Sequence, residues 1–441
     1  MKKARKIKWA AILSTAFLLL TAITRGPALK AASASDSETQ RLFRETFDVV
    51  WNTVKEKHFD PNFGGVDWNQ VRVKYSPLVD QAKTESELYS VLQRMLGELK
   101  QSHFSIVPAE ASADTGAPHG PVGETGVEVK YLRDEPVIIR VSKGSGAEKA
   151  DLRPGFTIKQ VGGKPVQLLT KPLNESDIPV SFRPLLKARI VERQLSGMAG
   201  TSVRLQYVNG GGVLKEAVVA REVVTGEMSP AFGNFPPQRT EFEARYVTGG
   251  YGYIHFNVFV VSLMDRIRES IRSFAKAPGI IIDLRGNPGG LGGMAPGIAG
   301  LVSDKPSSLG RMQMRTGYMN FAVFPQTNPY TGPIAILIDG TSASTSEVFA
   351  SGMQEIGRAV IVGERSAGAA LPSVFTKLPT GAVFQYAIAD FRSPRGKLIE
   401  GTGVTPDIEV TLDKDSLLAG RDVQLEAAIE SFKSRIERKT Q

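Results

Sequence analysis

The chain has 441 residues and no cysteine, with 41% hydrophobic and 22% charged residues, which is ordinary for a globular protein large enough for two or three domains. The missing cysteine excludes disulfides, thiol catalysis and thiolate metal sites. The formal net charge is +9, but residues 1–34 hold seven basic residues and no acid, which leaves about +2 for the remainder and argues against nucleic acid as a partner.

Residues 1–34 have the organisation of an export signal peptide. A basic start, MKKARKIK, precedes the apolar run WAAILSTAFLLLTAI and small residues that offer a cleavage site between Ala32 and Ala34. The apolar run has about 15 residues, whereas a membrane-spanning helix needs about 20. We therefore expect an exported, extracytoplasmic protein, periplasmic or secreted. The alternative is an uncleaved leader that anchors the protein to a membrane.

Residues 37–107 are predicted to form an N-terminal helical module. Apolar residues recur at helical spacing in LFRETFDVVWNTV and in TESELYSVLQRMLGELK. The second run begins with the capping box Thr84-x-x-Glu87. The following segment, residues 108–122, is rich in Ala, Pro and Gly and is predicted to be a linker.

Residues 123–225 are predicted to form a β domain. Short β-type runs such as PVIIRV and SVRLQYV are separated by glycine turns. The stretch RVSKGSGAEKADLRPGFTIKQVGGKPV resembles the PDZ domain, a family that binds peptide C-termini by adding a strand to a sheet edge. This resemblance implies a peptide-binding loop at Thr125, Gly126 and Val127.

Residues 240–435 are predicted to form an α/β core. GIIIDLRG and PIAILIDG have the composition of buried strands, and SEVFASGMQEIG and VQLEAAIESFKSRI have helical spacing. Helices that follow strands repeatedly indicate a sheet covered by helices. The fold class predicted for the whole chain is therefore multi-domain α/β.

Two turns after the buried strands carry candidate chemistry. DLRGNPGGLGG lacks the Gly-Lys-Ser/Thr of a phosphate-binding loop, and backbone amides that hold an oxyanion fit its glycines better. DGTSASTSEVFASG places five hydroxyl side chains within six positions. In one interpretation Ser344 and Glu347 merely cap a helix. In the other, a hydroxyl is a nucleophile whose developing charge the helix N-terminus stabilises.

DLRGNPGG, TSASTSE, GRAVIVGE and IEGTGVTPDIEV, in this order, resemble the C-terminal (tail-specific) processing peptidase family of serine peptidases. That clan also contains the tricorn protease core and the interphotoreceptor retinoid-binding protein repeats. The resemblance covers nearly the whole chain after the leader and implies a core similar to the ClpP/crotonase fold. It implies that Ser344 is the nucleophile, while Ala369 stands where most bacterial members have a catalytic lysine.

The tricorn-like branch of the family uses a serine, a histidine, a second serine and a glutamate instead. Here LKQSHFSIVP supplies a serine and a histidine, and IEGTGVTPD supplies a glutamate. The resemblance therefore implies a catalytic set of Ser344, His103, Glu400 and Ser102. A histidine can take the proton of a serine hydroxyl near neutral pH, which a serine nucleophile requires.

The same resemblance implies an oxyanion hole made of the Thr345 amide and the amide of Gly289 or Gly290. The remaining histidines, His58, His119 and His255, are expected to be structural or exposed. Nothing around them has the spacing of a metal site, so neither a metal nor another cofactor is predicted.

The predicted function is that of an exported serine endopeptidase that acts on polypeptides, with the PDZ-like domain presenting or gating the substrate. Two alternatives belong to other classes. One is a non-catalytic binding protein on the same scaffold, as in the retinoid-binding repeats, and the other is an adaptor that works through its PDZ-like domain.

Overall fold

The computed structural model describes most of the chain after the predicted leader. Its described residues are 28–108, 122–174, 183–223 and 226–440. Residues 1–27 of the leader and residues 109–121 of the linker, with His119, lie outside the described residues, and residues 28–34 begin the first helix. Within the described ranges, no helix combines the length and the apolar composition that a bilayer crossing requires.

Helices and strands alternate along the described residues. The helices are α1 (Ala28–Lys57), α2 (Trp68–Gln81), α3 (Glu85–Gly97), α4 (Gly146–Lys149), α5 (Val166–Asn174), α6 (Arg183–Leu195), α7 (Met264–Ser273), α8 (Met294–Leu301), α9 (Thr345–Glu355), α10 (Lys414–Leu418) and α11 (Val423–Thr440). The strands are β1 (Ser105–Val107), β2 (Val122–Glu124), β3 (Val127–Leu132), β4 (Glu135–Val141), β5 (Thr157–Val161), β6 (Lys164–Pro165), β7 (Gly197–Met198), β8 (Ser202–Val208), β9 (Leu214–Ala220), β10 (Glu222–Val223), β11 (Glu227–Met228), β12 (Arg239–Thr240), β13 (Phe242–Val247), β14 (Tyr251–Phe256), β15 (Ile280–Asp283), β16 (Ser307–Met314), β17 (Tyr318–Val323), β18 (Ile334–Ile338), β19 (Val360–Gly363), β20 (Ser373–Lys377), β21 (Val383–Ala387), β22 (Ala389–Arg392) and β23 (Ile408–Glu409).

The central sheet has the strand order β13-β14-β15-β18-β19-β23. Strand β13 is antiparallel to β14, and all other neighbours are parallel. Strands β15 and β18 are buried along their whole length because helices cover both faces of the sheet. Ile271, Ile298 and Phe349 pack on one face, and Phe432 packs on the other. This confirms the predicted α/β fold and brings the carboxyl ends of β15 and β18 side by side.

The N-terminal helices pack against the β20–β21 hairpin. Apolar side chains of α1, α2 and α3 form one buried cluster with Leu371 and Phe384. The N-terminus of α3 departs from the predicted capping box. Thr84 accepts the amide of Glu87, but the carboxylate of Glu87 accepts the amide of Lys83 rather than that of Thr84.

Strand β1 connects the N-terminal helices to the same hairpin through main-chain pairing. The sheet has the order β1-β21-β20, with Ser105 opposite Gln385 and Val107 opposite Val383. Because β1 begins two residues after His103, this pairing fixes the position of that histidine relative to the central sheet.

A separate antiparallel sheet contains the strands that the sequence assigns to the PDZ-like domain. Its strand order is β3-β4-β5-β8-β9, with β6 paired to β5, and Ile138, Ile158 and Leu205 lie in its core. The sequence predicted a β domain in this region, but the helices α4, α5 and α6 also form. Helix α6 packs its buried face, with Ala188 and Val191, along the edge strand β3.

Candidate active site

Ser344 lies where the chain leaves β18 and enters α9. It precedes the helix with a φ of +56°, a conformation that non-glycine residues rarely adopt and that recurs at functional turns. Each of the other four hydroxyls within residues 341–346 donates a hydrogen bond to a nearby oxygen: Thr341 to Asp339 (2.6 Å), Ser342 to Leu284 (2.7 Å), Thr345 to Gly290 (2.8 Å) and Ser346 to Asn287 (3.0 Å). Among the described residues the Ser344 hydroxyl has no such acceptor. Its proton is therefore the only one of these five hydroxyl protons that makes no hydrogen bond to the described part of the protein.

The glycines of the neighbouring turn lie directly against Ser344. A Cβ atom on Gly289 would lie 2.7 Å from the Ser344 Cβ and 2.8 Å from the Thr345 amide nitrogen, and one on Gly290 would lie 2.3 Å from the Phe259 oxygen. Only glycine therefore permits this approach. The Gly289 amide donates to Asn287 Oδ1 at 2.9 Å.

The amides of Thr345 and Gly290, by contrast, have no acceptor among the described residues. Two free donors beside a serine are the arrangement that an oxyanion requires. Of the two glycines predicted, Gly289 has an amide that already donates to Asn287, whereas the amide of Gly290 has no acceptor among the described residues.

Glu347 holds a second loop against the Ser344 turn. Its carboxylate accepts the amide of Ser344 at 3.1 Å, the Ser366 hydroxyl at 2.5 Å, and the amides of Gly368 and Ala369 at 2.7 and 2.9 Å. Burial raises the pKa of Glu347 to about 7, although these donors oppose the shift. The acidic half of the predicted cap therefore exists, and it also anchors residues 366–369.

Ser102, His103 and Glu400 form one hydrogen-bonded group. Glu400 accepts the Ser102 amide at 2.9 Å through Oε1 and the Ser102 hydroxyl at 2.9 Å through Oε2. The Ser102 oxygen lies 2.7 Å from His103 Nδ1. Because the hydroxyl has one proton and gives it to Glu400, Nδ1 must supply the proton of the second bond. This tautomer leaves Nε2 of His103 unprotonated and able to act as a base.

Burial controls the charge of this group. It lowers the pKa of His103 to about 4, so the imidazole is neutral at pH 7. It also raises the pKa of Glu400 above its usual range, against the hydrogen bonds from Ser102 and Ala370.

Two adjacent alanines join this group to the Ser344 turn. The Ala369 carbonyl accepts the Ser344 amide at 2.8 Å, and the Ala370 amide donates to Glu400 Oε2 at 2.8 Å. Among the described residues no hydrogen bond links the Ser344 hydroxyl directly to His103. The two halves of the predicted catalytic set thus contact the same dipeptide, Ser344 through Ala369 and Glu400 through Ala370.

The predicted PDZ-like loop lies on a cavity of about 740 Å³ that also reaches both turns. Thr125, Gly126 and Val127 line the cavity together with Gly286 and Thr341. Glu192 of α6 accepts the amide of Val129 at 2.9 Å, so a side chain of this protein already uses one donor of the edge strand β3.

Lys130 of β3 reaches from this sheet to the Ser344 turn. Its ammonium lies 2.7 Å from Glu364 Oε2 and 3.4 Å from Asp339 Oδ2, with only 10% of the side chain exposed. Burial lowers the pKa of Lys130, but the two carboxylates outweigh burial and hold that pKa above its ordinary value. Burial likewise raises the pKa of Asp339, and Lys130 with Thr341 brings it down to about 2.

The other basic candidates lie away from this chemistry. Lys377, the lysine closest downstream of Ala369, is exposed at the end of β20. His58 Nε2 lies 2.9 Å from Gln101 Oε1, and His255 Nδ1 lies 3.2 Å from the Asp283 carbonyl. Within the described part of the chain, no group of three potential ligands could hold a metal ion.

Asp339 is a site residue that the sequence did not single out. Its Oδ1 accepts the amides of Gly286 (3.3 Å), Thr341 (2.9 Å) and Ser342 (3.2 Å), so it joins the two turns. The only sequence feature that could have identified Asp339 as a site residue was its position directly after a buried strand. Lys130 was missed because a lysine in a short strand is usually solvent-exposed.

Comparisons with known proteins show which proteins this chain is similar to. Residues 250–410 match peptidase family S41, and residues 40–97 match the tricorn protease C1 domain. The chain is 25% identical over 395 residues to carboxyl-terminal-processing peptidase 3, chloroplastic, of Arabidopsis thaliana, which covers 85% of this chain and 70% of that protein. It is 24% identical over 397 residues to a carboxyl-terminal-processing protease of Picosynechococcus sp., covering 88% and 87% respectively. The solved photosystem II D1 C-terminal processing protease has a similar fold, with a TM-score of 0.56 and 22% identity over 86% of this chain and 94% of that one.

Proposed function

Because the chain belongs to the C-terminal processing peptidases of family S41 and is a serine-type peptidase, we propose that Ser344 is its nucleophile and His103 its general base. His103 Nε2 takes the proton of the Ser344 hydroxyl as the oxygen attacks the peptide carbonyl. The amides of Thr345 and Gly290 stabilise the oxyanion. The imidazolium then protonates the leaving amine, and water hydrolyses the acyl-enzyme with His103 again as the base.

The observation that carries this proposal is the hydrogen-bond chain from Glu400 through Ser102 to His103. It fixes the imidazole in the tautomer with a free Nε2 and supplies a negative group that stabilises the imidazolium. A serine peptidase needs both functions from the partners of its histidine. The lowered pKa of His103 keeps the base neutral over the whole neutral range.

We further propose that the substrate is a polypeptide and that the protein works outside the cytoplasm. The basic and apolar residues 1–34 support export, with cleavage by a signal peptidase or retention as a membrane anchor. Residues 37–107, 123–225 and 240–435 would be the helical module, the PDZ-like domain and the peptidase core. Thr125, Gly126 and Val127 would then receive a peptide carboxylate at the cavity shared with the core.

A fluorophosphonate probe and a fluorescein-labelled casein test the proposed residues together. Labelling and hydrolysis should both disappear in Ser344→Ala, and both should fall by at least about 10³-fold in His103→Ala. Ser90→Ala, at an exposed serine of α3, and His255→Ala serve as controls that keep both activities. A non-catalytic binding protein or a PDZ adaptor predicts no labelling of the wild type, and undiminished hydrolysis by His103→Ala would exclude this histidine as the base.

A further inference from the structure

Strand β20 presents one open main-chain edge. It is the terminal strand of the sheet β1-β21-β20. Pro372 accepts the amide of Ile388 at 2.9 Å, and Leu378 donates to Ala382 at 2.8 Å. Because antiparallel bonding alternates along a strand, the even-numbered residues face β21. The N–H and C=O groups of Ser373, Phe375 and Lys377 therefore point to the open side.

This edge begins next to the proposed nucleophile. Ala369 binds the Ser344 amide and Ala370 binds Glu400, and β20 starts three residues later at Ser373. Three extended residues span at most about 11 Å. Since β20 runs away from Ser344, a peptide that pairs with it in the antiparallel sense runs toward Ser344.

A loop of this protein already uses part of the edge. The Asn234 side-chain amide donates to the Phe375 carbonyl at 3.1 Å, as a peptide N–H would. The ring of Phe235 packs edge-on against Phe375, with centroids 5.3 Å apart. The loop itself is closed by a bridge between Phe232 and Phe235, and Asn234 is exposed.

We propose that the open edge of β20 binds the main chain of the polypeptide segment on the acyl side of the bond cleaved at Ser344, and that Asn234 competes with that segment for the Phe375 carbonyl. The proposal rests on the proposed peptidase function, because continuity with the Ser344 loop identifies the occupant. Backbone pairing recognises extended chains of any sequence. Unfolded polypeptides are thus the substrates that suit this edge.

The test measures binding to Ser344→Ala protein, so that it requires no hydrolysis. The probe is an eight-residue peptide of alternating valine and threonine, labelled with fluorescein at its N-terminus and amidated at its C-terminus. Amidation removes the carboxylate that a PDZ-like loop would hold. Fluorescence anisotropy then gives the Kd for each variant built on this protein.

Asn234→Ala should lower the Kd at least threefold because the Phe375 carbonyl becomes free, and Asn69→Ala, an exposed asparagine on α2, should leave it unchanged. Phe375→Pro should raise the Kd at least fivefold relative to Phe375→Ala. Both variants lose the ring, but only proline loses the edge N–H, and proline is tolerated on sheet edges.

Equal Kd values for Asn234→Ala and Asn69→Ala would overturn the proposal, whether or not the wild type cleaves casein. If circular dichroism finds Phe375→Pro unfolded, the Asn234→Ala result decides alone. Absence of fluorophosphonate labelling in the wild type would instead refute the peptidase mechanism, so the two failures remain distinguishable.

Discussion

His103 differs from a free histidine because its surroundings favour the neutral imidazole. Burial lowers its pKa to about 4, against an unperturbed value near 6.5. A general base acts only when deprotonated, so the proposed mechanism loses activity as the pH falls through the pKa of His103. Glu347, whose pKa burial raises to about 7, titrates in the same range, so the pH profile reports two residues at separate pH values.

We expect a first, partial fall in kcat/KM near pH 7 as Glu347 is protonated, and a complete loss near pH 4 as His103 is protonated. A stopped assay with fluorescein-labelled casein between pH 3.5 and 8 measures this profile. Circular dichroism at each pH separates loss of the base from acid unfolding. Complete loss of activity with a midpoint near 6.5 would contradict the assignment of the half-buried His103 as the base.

Gly290 offers a second test at the scale of one residue. A Cβ at this position would meet the Phe259 oxygen at 2.3 Å, and its φ is +134°. Gly290→Ala should displace the free amide and lower kcat by about 10²–10³-fold, the usual cost of one oxyanion donor.

Gly293→Ala is the matched control, because no atom lies within 4 Å of a Cβ there. It should keep the wild-type kcat. Equal activity of Gly290→Ala and Gly293→Ala would show that the Gly290 amide takes no part in catalysis.

At the scale of elements, the hairpin β20–β21 positions the proposed base, a role that its sequence did not indicate. Phe384 is fully buried in the cluster formed by the three N-terminal helices, and its strand pairs with β1 beside His103. The hairpin therefore holds the proposed base in place through both packing and main-chain bonds.

Phe384→Ala should lower the free energy of unfolding by about 3–5 kcal/mol, as for other buried phenylalanines. It should also lower kcat, because a loosened β1 no longer fixes His103. Guanidinium unfolding and casein hydrolysis measure the two effects. Tyr386→Ala, on the same strand but only partly buried, should affect both less, and wild-type kcat in a folded Phe384→Ala protein would contradict the role of the hairpin.

How far the sequence predicts the structure depends on the range of the interactions. Apolar periodicity predicts α1, α3, β15 and β18 because each pattern is local. The short helices α5 and α6 escaped because their apolar faces lie between strand-like runs. Ser102 and Ser344 could be proposed only through ordered motifs, because the sequence does not show how segments some 240 residues apart pack together. The bond from Asn287 to the Gly289 amide has no sequence signal at all.

At the scale of the whole molecule, Lys130 forms a buried ionic link between the sheet β3-β4-β5-β8-β9 and the central sheet. Its two carboxylate partners, Asp339 and Glu364, lie after β18 and β19. Removing one partner of a buried ionic group leaves uncompensated charge and typically costs about 3–5 kcal/mol. Asp339 also accepts amides from both turns of the site. Loss of Lys130 should therefore displace these turns as well as destabilise the protein.

Lys130→Met should therefore destabilise the protein by about 3–5 kcal/mol and slow fluorophosphonate labelling of Ser344. Lys130→Arg, which keeps the charge, should retain more of both. Thermal unfolding and labelling rates are the measurements. A wild-type labelling rate in folded Lys130→Met protein would mean that the ion pairs of Lys130 do not hold the Ser344 turn in place.

The division of the site between β1 and α9 also sets the timing of activity. Under the proposed mechanism, the base is synthesised about 240 residues before the nucleophile, and neither is useful until β1 pairs with β21. A chain that has been made as far as Glu400 but has not yet folded then carries every proposed catalytic side chain without proteolytic activity. Completion of the fold would itself be the switch that protects the cell that makes this enzyme.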